Sequence, residues 1–381
     1  MDSNSRKGLA IAKTLVKSGY DVHIGNDDIH TIPFKSKYLK KHLKYRSLET
    51  DEGIKDLVNY IKKNNIDILL PLEESTIEII YDNYDSLKSV SKIPIPKKEV
   101  FELARDKFKT VEFLEKVGIN FPKSIIIQEI SEIDKLELEY PVVIKPRKSS
   151  GSRGITYVNS KEELKEKYVK VNEIYSSPMI QEFIPQNGNK YQILMLIDKE
   201  QNLKAKISQQ LLRQYPINGG PGTFWKSISL PELEEKSYKL LKEMNWYGVA
   251  CVEFITNPKN GKAYFMEINP RFWGTIHLSN YLGINFPDKL VKTELNIEYE
   301  EKYNEKEDYY CQWGFPGDFL NFLMGGKKFY NEYGYFFKKP DKITYAIWDK
   351  KDIKPFIFNI LYSIKDLFSI KKLKDAFKRS V

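Results

Sequence analysis

Two β-rich runs, Gly248 to Thr256 and Lys262 to Asn269, follow one another closely enough to pair as a hairpin, and both place carboxylates among apolar neighbours. Glu267 and Asn269 lie two residues apart in Tyr264-Phe-Met-Glu-Ile-Asn-Pro-Arg271, so on a strand both side chains leave the same face. Glu253, within Val252-Glu253-Phe254, can join them from the neighbouring strand. Three oxygen donors then converge, a set that suits Mg2+ completed by phosphates and water. Arg271, just beyond the strand, fits the charge that develops on a phosphoryl group in transfer. A merely exposed polar face is the competing reading, but the alternation with apolar residues and the Pro-Arg ending favour the site.

At 381 residues the chain is too long for one ordinary core. The pattern predicts a mixed α/β and α+β protein. Residues 1–95 read as an open α/β unit, with a helix over Leu9 to Lys17, a strand over Tyr20 to Ile24, a helix over Asp51 to Lys63 and a buried strand over Asp67 to Leu70. A parallel layer normally begins with a strand. Asp2-Ser3-Asn4-Ser5 resembles the loop after one, so a strand upstream of Met1 is expected. Pro94 and Pro96 mark the passage to a two-lobed unit over 96–302 with antiparallel sheets, its small lobe spanning about 120–183. From 303 to 381 the composition turns aromatic and basic and reads as a C-terminal appendage.

Three further segments carry chemistry. Tyr140-Pro-Val-Val-Ile-Lys-Pro146 is an apolar strand ending in Lys145, followed by a loop containing Ser150, Gly151, Ser152 and Gly154. Such a loop either wraps an oxyanion with its backbone N–H groups or forms a solvated turn, and the adjoining lysine favours a polyphosphate ligand. Met179-Ile-Gln-Glu-Phe-Ile184 either offers Gln181, Glu182, Phe183 and Ile184 to an adenine edge or is an ordinary buried strand. The stretch from Gln209 to Gly222 breaks into a Gly-rich loop in which Pro216 and Pro221 forbid a helix, so it is no second nucleotide site.

Composition excludes several alternatives. No apolar run approaches the length of a membrane span and no apolar signal core opens the chain, so a cytoplasmic protein is expected. The two cysteines, Cys251 and Cys311, read as buried free thiols, and the four scattered histidines make no zinc site. The net charge of +9 is concentrated at the end: residues 350–381 hold nine Lys or Arg against three Asp. That leaves little for a nucleic-acid groove. Ile357, Ile360, Leu361, Ile364, Leu367 and Phe368 repeat at helical spacing beside those lysines, so 355–381 either meets an anionic membrane weakly or packs on its own domain.

In order, Arg105-Asp106-Lys107, Val143-Ile144-Lys145-Pro146, the Gly/Ser loop, Gln181 to Ile184, Glu253 and Glu267-Ile-Asn-Pro-Arg271 resemble the ATP-grasp superfamily, most closely its carbamoyl-phosphate-synthase-like carboxylate–amine ligases. The resemblance covers roughly residues 1 to 300. It implies a pre-ATP-grasp domain followed by an ATP-grasp fold, with ATP and Mg2+, or Mn2+ in its place, as cofactors. By that resemblance Lys107 and Lys145 bind phosphates, the loop 149–154 closes over them, and Glu182 and the Ile184 backbone hold adenine. Glu253, Glu267 and Asn269 take the metal, with Arg271 beside the γ-phosphate. Where the family often has an acidic residue for ribose, this chain has Asn187-Gly-Asn-Lys190. Arg213, followed by Gly219 and Gly220, either pairs with a substrate carboxylate or sits on a solvated surface loop. The implied reaction phosphorylates a small carboxylate and joins it to an amine. A bicarbonate-activating enzyme and a non-catalytic ATP-binding module are the rivals.

Overall fold

Helix α1 (Arg6–Lys17) starts where the Ser5 hydroxyl accepts the Gly8 N–H at 3.3 Å, and its Ala10, Ile11 and Leu15 face Phe272, Trp273 and Ile276 in the largest core. The computed structural model describes residues 1–2, 5–149, 153–217, 219–300, 302–303, 306–324 and 339–367. Strand β1 (His23–Asn26) pairs in parallel with β2 (Lys41–Lys44). The sequence does not announce β2, because Lys-His-Leu-Lys is polar and mostly exposed and lacks the apolar alternation that marks a half-buried strand. Helix α2 (Asp51–Asn64) runs from a Thr50 cap to a left-handed Asn65 at φ 50°, as its sequence predicts. The strand expected over Asp67 to Leu70 shrinks to one parallel bridge between Ile68 and Lys92. Helix α3 (Glu74–Asp82) follows, its start tied by Asp2, whose carboxylate accepts the Thr76 hydroxyl at 2.6 Å and the Leu72 and Glu73 N–H groups at 3.3 Å.

The next unit contains two sheets. The small one, in the order β3 (Ser124–Ile125), β6 (Met179–Glu182), β4 (Val142–Lys145) and β5 (Thr156–Val158), is antiparallel throughout. The helix Lys161–Ile174 covers it, burying Leu164, Tyr168 and Val171 against Val142, Ile144 and Ile180. The large sheet orders β11 (Ala263–Asn269), β10 (Gly248–Thr256), β7 (Lys190–Ile197), β8 (Leu203–Gln214), β9 (Gly222–Ile228), β13 (Tyr310–Gln312) and β14 (Ile343–Tyr345), with the short β12 (Lys302–Tyr303) beside β8. The Gly-rich loop expected before Gly222 is a short turn after β8, and the strand that follows it, β9, was not expected from the sequence; its Phe224 and Trp225 are buried on the sheet. The segment after 303 is joined to the body of the protein: β13 pairs with β9, and β14 with β13. Among the described residues no helix is long and apolar enough to cross a membrane.

Candidate active site

Strands β10 and β11 are antiparallel with Glu253 directly opposite Glu267 and Cys251 opposite Asn269. Period-two alternation therefore puts all four side chains on one face, as the spacing of Glu267 and Asn269 requires. The same row continues across the sheet, since Glu253 faces Gln192 on β7 and Gln192 faces Gln209 on β8. The Gln192 amide donates to Glu253 at 2.7 Å, the Asn269 amide donates to it at 3.0 Å, and Gln209 donates to Gln192 at 2.6 Å. Burial, reinforced by the charge of Glu267, pushes the Glu253 carboxyl up to about 7. Burial works the same way on Glu267, but Lys107 and Lys145 outweigh it and hold that carboxyl below its usual range. Two carboxyls facing each other across adjacent strands repel when both are charged, a strain that a divalent cation between them relieves. Among the described residues no cluster of three His, Cys, Asp or Glu is arranged to hold a metal. Glu253, Glu267 and Asn269 form a donor set of two carboxylates and an amide, which fits a cation that takes its remaining ligands from phosphate and water.

The cations arrive from the other sheet. Lys145 ends β4, is only 5% exposed, and its Nζ donates to the Met266 carbonyl of β11 at 3.4 Å, bridging the two sheets. Burial lowers it to about 8, and neighbouring Lys107 pushes the same way. The Lys107 ammonium lies 3.3 Å from Glu267 and donates to the Ser149 carbonyl at 2.8 Å. Asp106 holds the root of the same loop by accepting from Arg147 Nε at 3.0 Å. Gly154, at φ 76°, must be glycine, because a Cβ there would stand 2.4 Å from the Tyr175 ring. Ser150, Gly151 and Ser152 lie outside the described residues.

Arg271 is fixed from two sides. Its Nε donates to Glu74 at the start of α3, 3.1 Å away, and its Nη2 to the Asn269 amide oxygen at 3.3 Å. Glu74 also accepts from Arg105 Nε at 3.2 Å. Beside it Lys7 of α1 pairs with Glu73 at 2.9 Å and donates to the Phe272 carbonyl at 3.4 Å. Burial, then the Arg271 charge, lowers Lys7 to about 8. Sequence reasoning misses Lys7, Glu73, Glu74 and Gln192. An acidic pair at a helix start reads as ordinary complement to the helix dipole, and nothing local says which arginine it meets.

On β6, the Gln181 amide donates to the Ser124 hydroxyl at 2.9 Å and Glu182 stays exposed, accepting the Lys123 N–H at 3.1 Å. Phe183 meets Tyr157 edge to face at 5.7 Å. Ile184 is buried, and its carbonyl accepts the Gln186 amide at 2.9 Å. Lys190, in the stretch where an acidic ribose contact is missing, reaches Gln214 at 3.4 Å.

Residues 104–275, which carry all of these groups except the N-terminal ones, match the family model of the ATP-grasp domain. This segment is an ATP-grasp domain. The chain is 28% identical over 164 residues to acetyl-CoA carboxylase 1 of Arabidopsis thaliana, covering 42% of the chain and 7% of that protein. It is 29% identical over 172 residues to the coenzyme gamma-F420-2:alpha-L-glutamate ligase of Methanococcus maripaludis, covering 43% of the chain and 58% of the ligase. The chain therefore spans less than two thirds of either relative. A biotin carboxylase structure from Campylobacter jejuni superposes with a TM-score of 0.66 at 18% identity, over 81% of this chain and 72% of that one, a likeness of fold.

One assignment in the ATP-grasp domain needs correction. Arg213 neither faces an open substrate space nor lies on a solvated loop. It is 5% exposed, its Nε and Nη2 donate to the two oxygens of Asp318 at 2.7 and 2.6 Å, and it stacks 4.1 Å from the Phe224 ring centroid. Its guanidinium is consumed by a buried pair whose other half is 105 residues away. Gly220 is required by the turn itself, since a Cβ there would stand 2.4 Å from the Tyr215 carbonyl oxygen, and Gly219 adopts φ 150°. The two cysteines are buried and free, as expected, with the Cys251 thiol 3.8 Å from Glu253.

Proposed function

We propose that the chain is an ATP-dependent carboxylate–amine ligase. The observation that carries this reading is the meeting of Glu253 and Glu267 with Lys107, Lys145 and Arg271, drawn from both sheets and backed by α3. In that reaction a carboxylate oxygen attacks the γ-phosphorus, the bond to the β-phosphate oxygen breaks and ADP leaves. The amine lone pair then attacks the acyl carbon, the C–N bond forms, phosphate leaves and the amine gives up a proton. Phosphoryl transfer asks of the protein mainly alignment and charge neutralisation, which is what this lysine, arginine and carboxylate set supplies. Lys107 and Lys145 hold phosphates, with the backbone of 150–154 closing over them. Glu182 and the Ile184 backbone hold adenine beside Gln181 and Phe183. Arg271 is aimed by Glu74 and Asn269 at the γ-phosphate. Mg2+, or Mn2+, held by Glu253, Glu267 and Asn269 would supply positive charge to the phosphates. The relative whose name describes an L-glutamate ligase supports an amino acid among the substrates. Within this reading residues 1–95 form the pre-ATP-grasp unit, 96–302 the ATP-grasp unit with its small lobe near 120–183, and 303–381 an appendage of a cytoplasmic enzyme.

Screening amino acids and small carboxylates, with amines, for stimulated ADP release tests this. Release with bicarbonate alone makes the chain a bicarbonate-activating enzyme, and tight Mg·ATP binding without release makes it a non-catalytic module. Two substitutions separate the roles. Lys145→Ala weakens Mg·ATP roughly ten- to a hundredfold by calorimetry, the worth of a charge-assisted contact. Arg271→Ala lowers kcat by about a hundredfold or more with little change in nucleotide affinity, because its charge matters most while the phosphoryl group is in flight. Equal effects of both changes on binding and turnover would overturn the division of labour.

The C-terminal appendage supports a weak contact with anionic lipid. In the helix Lys354–Leu367, Pro355 and Asn359 face inward, while Ile357, Leu361 and Ile364 are 41–63% exposed on the opposite side. A groove of about 350 Å³ between Phe34, Lys35, Ile357, Phe358 and Leu361 continues that apolar face. Exposed Lys354 and Lys365 flank it, and the charge of 350–381 complements phosphatidylserine. Phe368 and the last lysines lie outside the described residues. The full chain should sediment with vesicles containing phosphatidylserine and not with phosphatidylcholine alone, and Leu361→Glu should abolish sedimentation. Unchanged sedimentation of that variant would refute the contact.

A further inference from the structure

The acid substrate must be held close to Arg271, and the residues first expected to hold it are committed elsewhere. Beyond Arg271 the chain passes Phe272 and Trp273 into the core and reaches Gly274, which is exposed. Among the described residues, the group that a Cβ at Gly274 would meet is the Arg6 Nη2, at 3.9 Å. Arg6 opens α1, and its guanidinium carbon lies 3.4 Å from the centroid of the Trp313 ring. Its neighbour Lys7 is neutralised by Glu73, but among the described residues Arg6 has no carboxylate partner. Two more polar atoms of this neighbourhood are buried without a partner among the described residues, Trp313 Nε1 and His277 Nδ1. Burial, followed by the charge of Arg6, lowers His277 to about 3, so the imidazole is neutral and adds no second positive charge beside the guanidinium. Burial likewise lowers Arg6 to about 10.

We infer that Arg6, stacked on Trp313 above the open edge at Gly274, binds the carboxylate of the acid that the ATP-grasp domain activates. An arginine held against an indole ring is positioned by it, and a guanidinium fork so positioned can receive a carboxylate through two parallel hydrogen bonds. A partly buried cation without a counter-ion is costly, and an anionic ligand removes that cost on binding. An amine gains nothing there, since the local charge repels it. The site also adjoins the chemistry. Lys7, next to Arg6, donates to the Phe272 carbonyl, which also accepts from Arg271 Nη1 at 3.2 Å. An acid anchored at Arg6 is therefore held beside the segment that presents Arg271. For a dicarboxylate or amino acid, Arg6 grips the carboxylate that does not react. For a monocarboxylate, it grips the one that does.

This inference rests on the ligase reading, and the test keeps the two apart. With Mg·ADP present, the full chain is titrated calorimetrically with acetate, succinate and L-glutamate, and with inorganic phosphate and ethylamine as controls. At least one carboxylate is expected to bind. Arg6→Gln and Gly274→Val should each weaken it roughly ten- to a hundredfold while Mg·ADP affinity stays unchanged, and Arg6→Lys should recover part of the loss. In turnover with a responsive acid and amine, Arg6→Gln should raise KM for the acid far more than it lowers kcat. Carboxylate affinity and KM unchanged in both variants, no binding of any of the three acids, or Arg6-dependent binding of phosphate alone would each overturn the assignment. Arg6-dependent acid binding in a protein that never releases ADP would instead leave the site standing and remove the ligase reading.

Discussion

Replacing Glu267 by glutamine is expected to stop ADP formation, with kcat falling by at least a hundred- to a thousandfold, while the protein stays folded. The reason lies in the unequal titration of the two facing carboxyls. Glu253 is raised to about 7 by burial and by its neighbour, so Glu267, held ionised by Lys107 and Lys145, is the dependable negative charge of the pair. Removing it leaves Glu253, a single carboxyl still disfavoured as a charge by burial, and an amide to hold the cation, too little for a divalent ion that prefers charged oxygen. It also removes the counter-charge of Lys107, 3.3 Å away, and of Lys145, so the two lysines proposed to hold phosphate lose their alignment. Glutamine keeps the shape and one acceptor oxygen, and the side chain is 24% exposed, so the stability change should be small beside the kinetic one. An ADP-release assay with thermal melts on both proteins decides it. Near-normal turnover in the variant would show that the metal assignment is wrong.

The largest effect on stability should come from Arg213, which the sequence left between a substrate contact and a solvated loop residue. Arg213→Ala leaves Asp318, whose side chain is fully buried, as an uncompensated charge, still touched by the Thr223 hydroxyl at 3.0 Å and the Gln312 amide at 2.7 Å. Breaking a buried pair by removing one partner costs on the order of 3–5 kcal/mol, which in a chain of this size corresponds to a fall in Tm on the order of 10 °C. Because Arg213 is on β8, Thr223 on β9 and Gln312 on β13, the loss loosens the join between the large sheet and the segment after 303. Removing both charges together, Arg213→Met with Asp318→Leu, should restore much of the stability. If Arg213→Ala instead left Tm unchanged and raised KM for the acid, the substrate role would stand and the structural one would fall.

Much of the candidate site was legible in the sequence. Glu267 and Asn269 share a face because a strand repeats every two residues, and Glu253 meets them because its run is the adjacent partner in a hairpin. The helix Lys161–Ile174 and strands β4, β7 and β10 follow within a residue or so from local alternation and capping. Such periodicity is a property of neighbouring residues, so a sequence displays it directly. It states which side of an element is apolar and is silent on what lies opposite. Lys41-His-Leu-Lys became β2 through pairing with β1, without an apolar signal of its own. The stripe of Ile357, Leu361 and Ile364 has the spacing of a buried face, yet the helix packs through Pro355 and Asn359 instead. Arg213 has the same spacing in either role, and only the arrival of Asp318 across β9 and β13 makes it a buried structural group. Likewise Glu74 and Gln192 steady Arg271 and Glu253, and Arg6 is left with its charge open, through contacts between residues that are distant in the chain. The sequence alone determined most of the elements and the one-sided chemistry of the strands it marked. Which charges are neutralised, and which remain for a ligand, was decided by the tertiary packing, because a charge's free energy depends on the burial and the partners that only the folded chain brings to it.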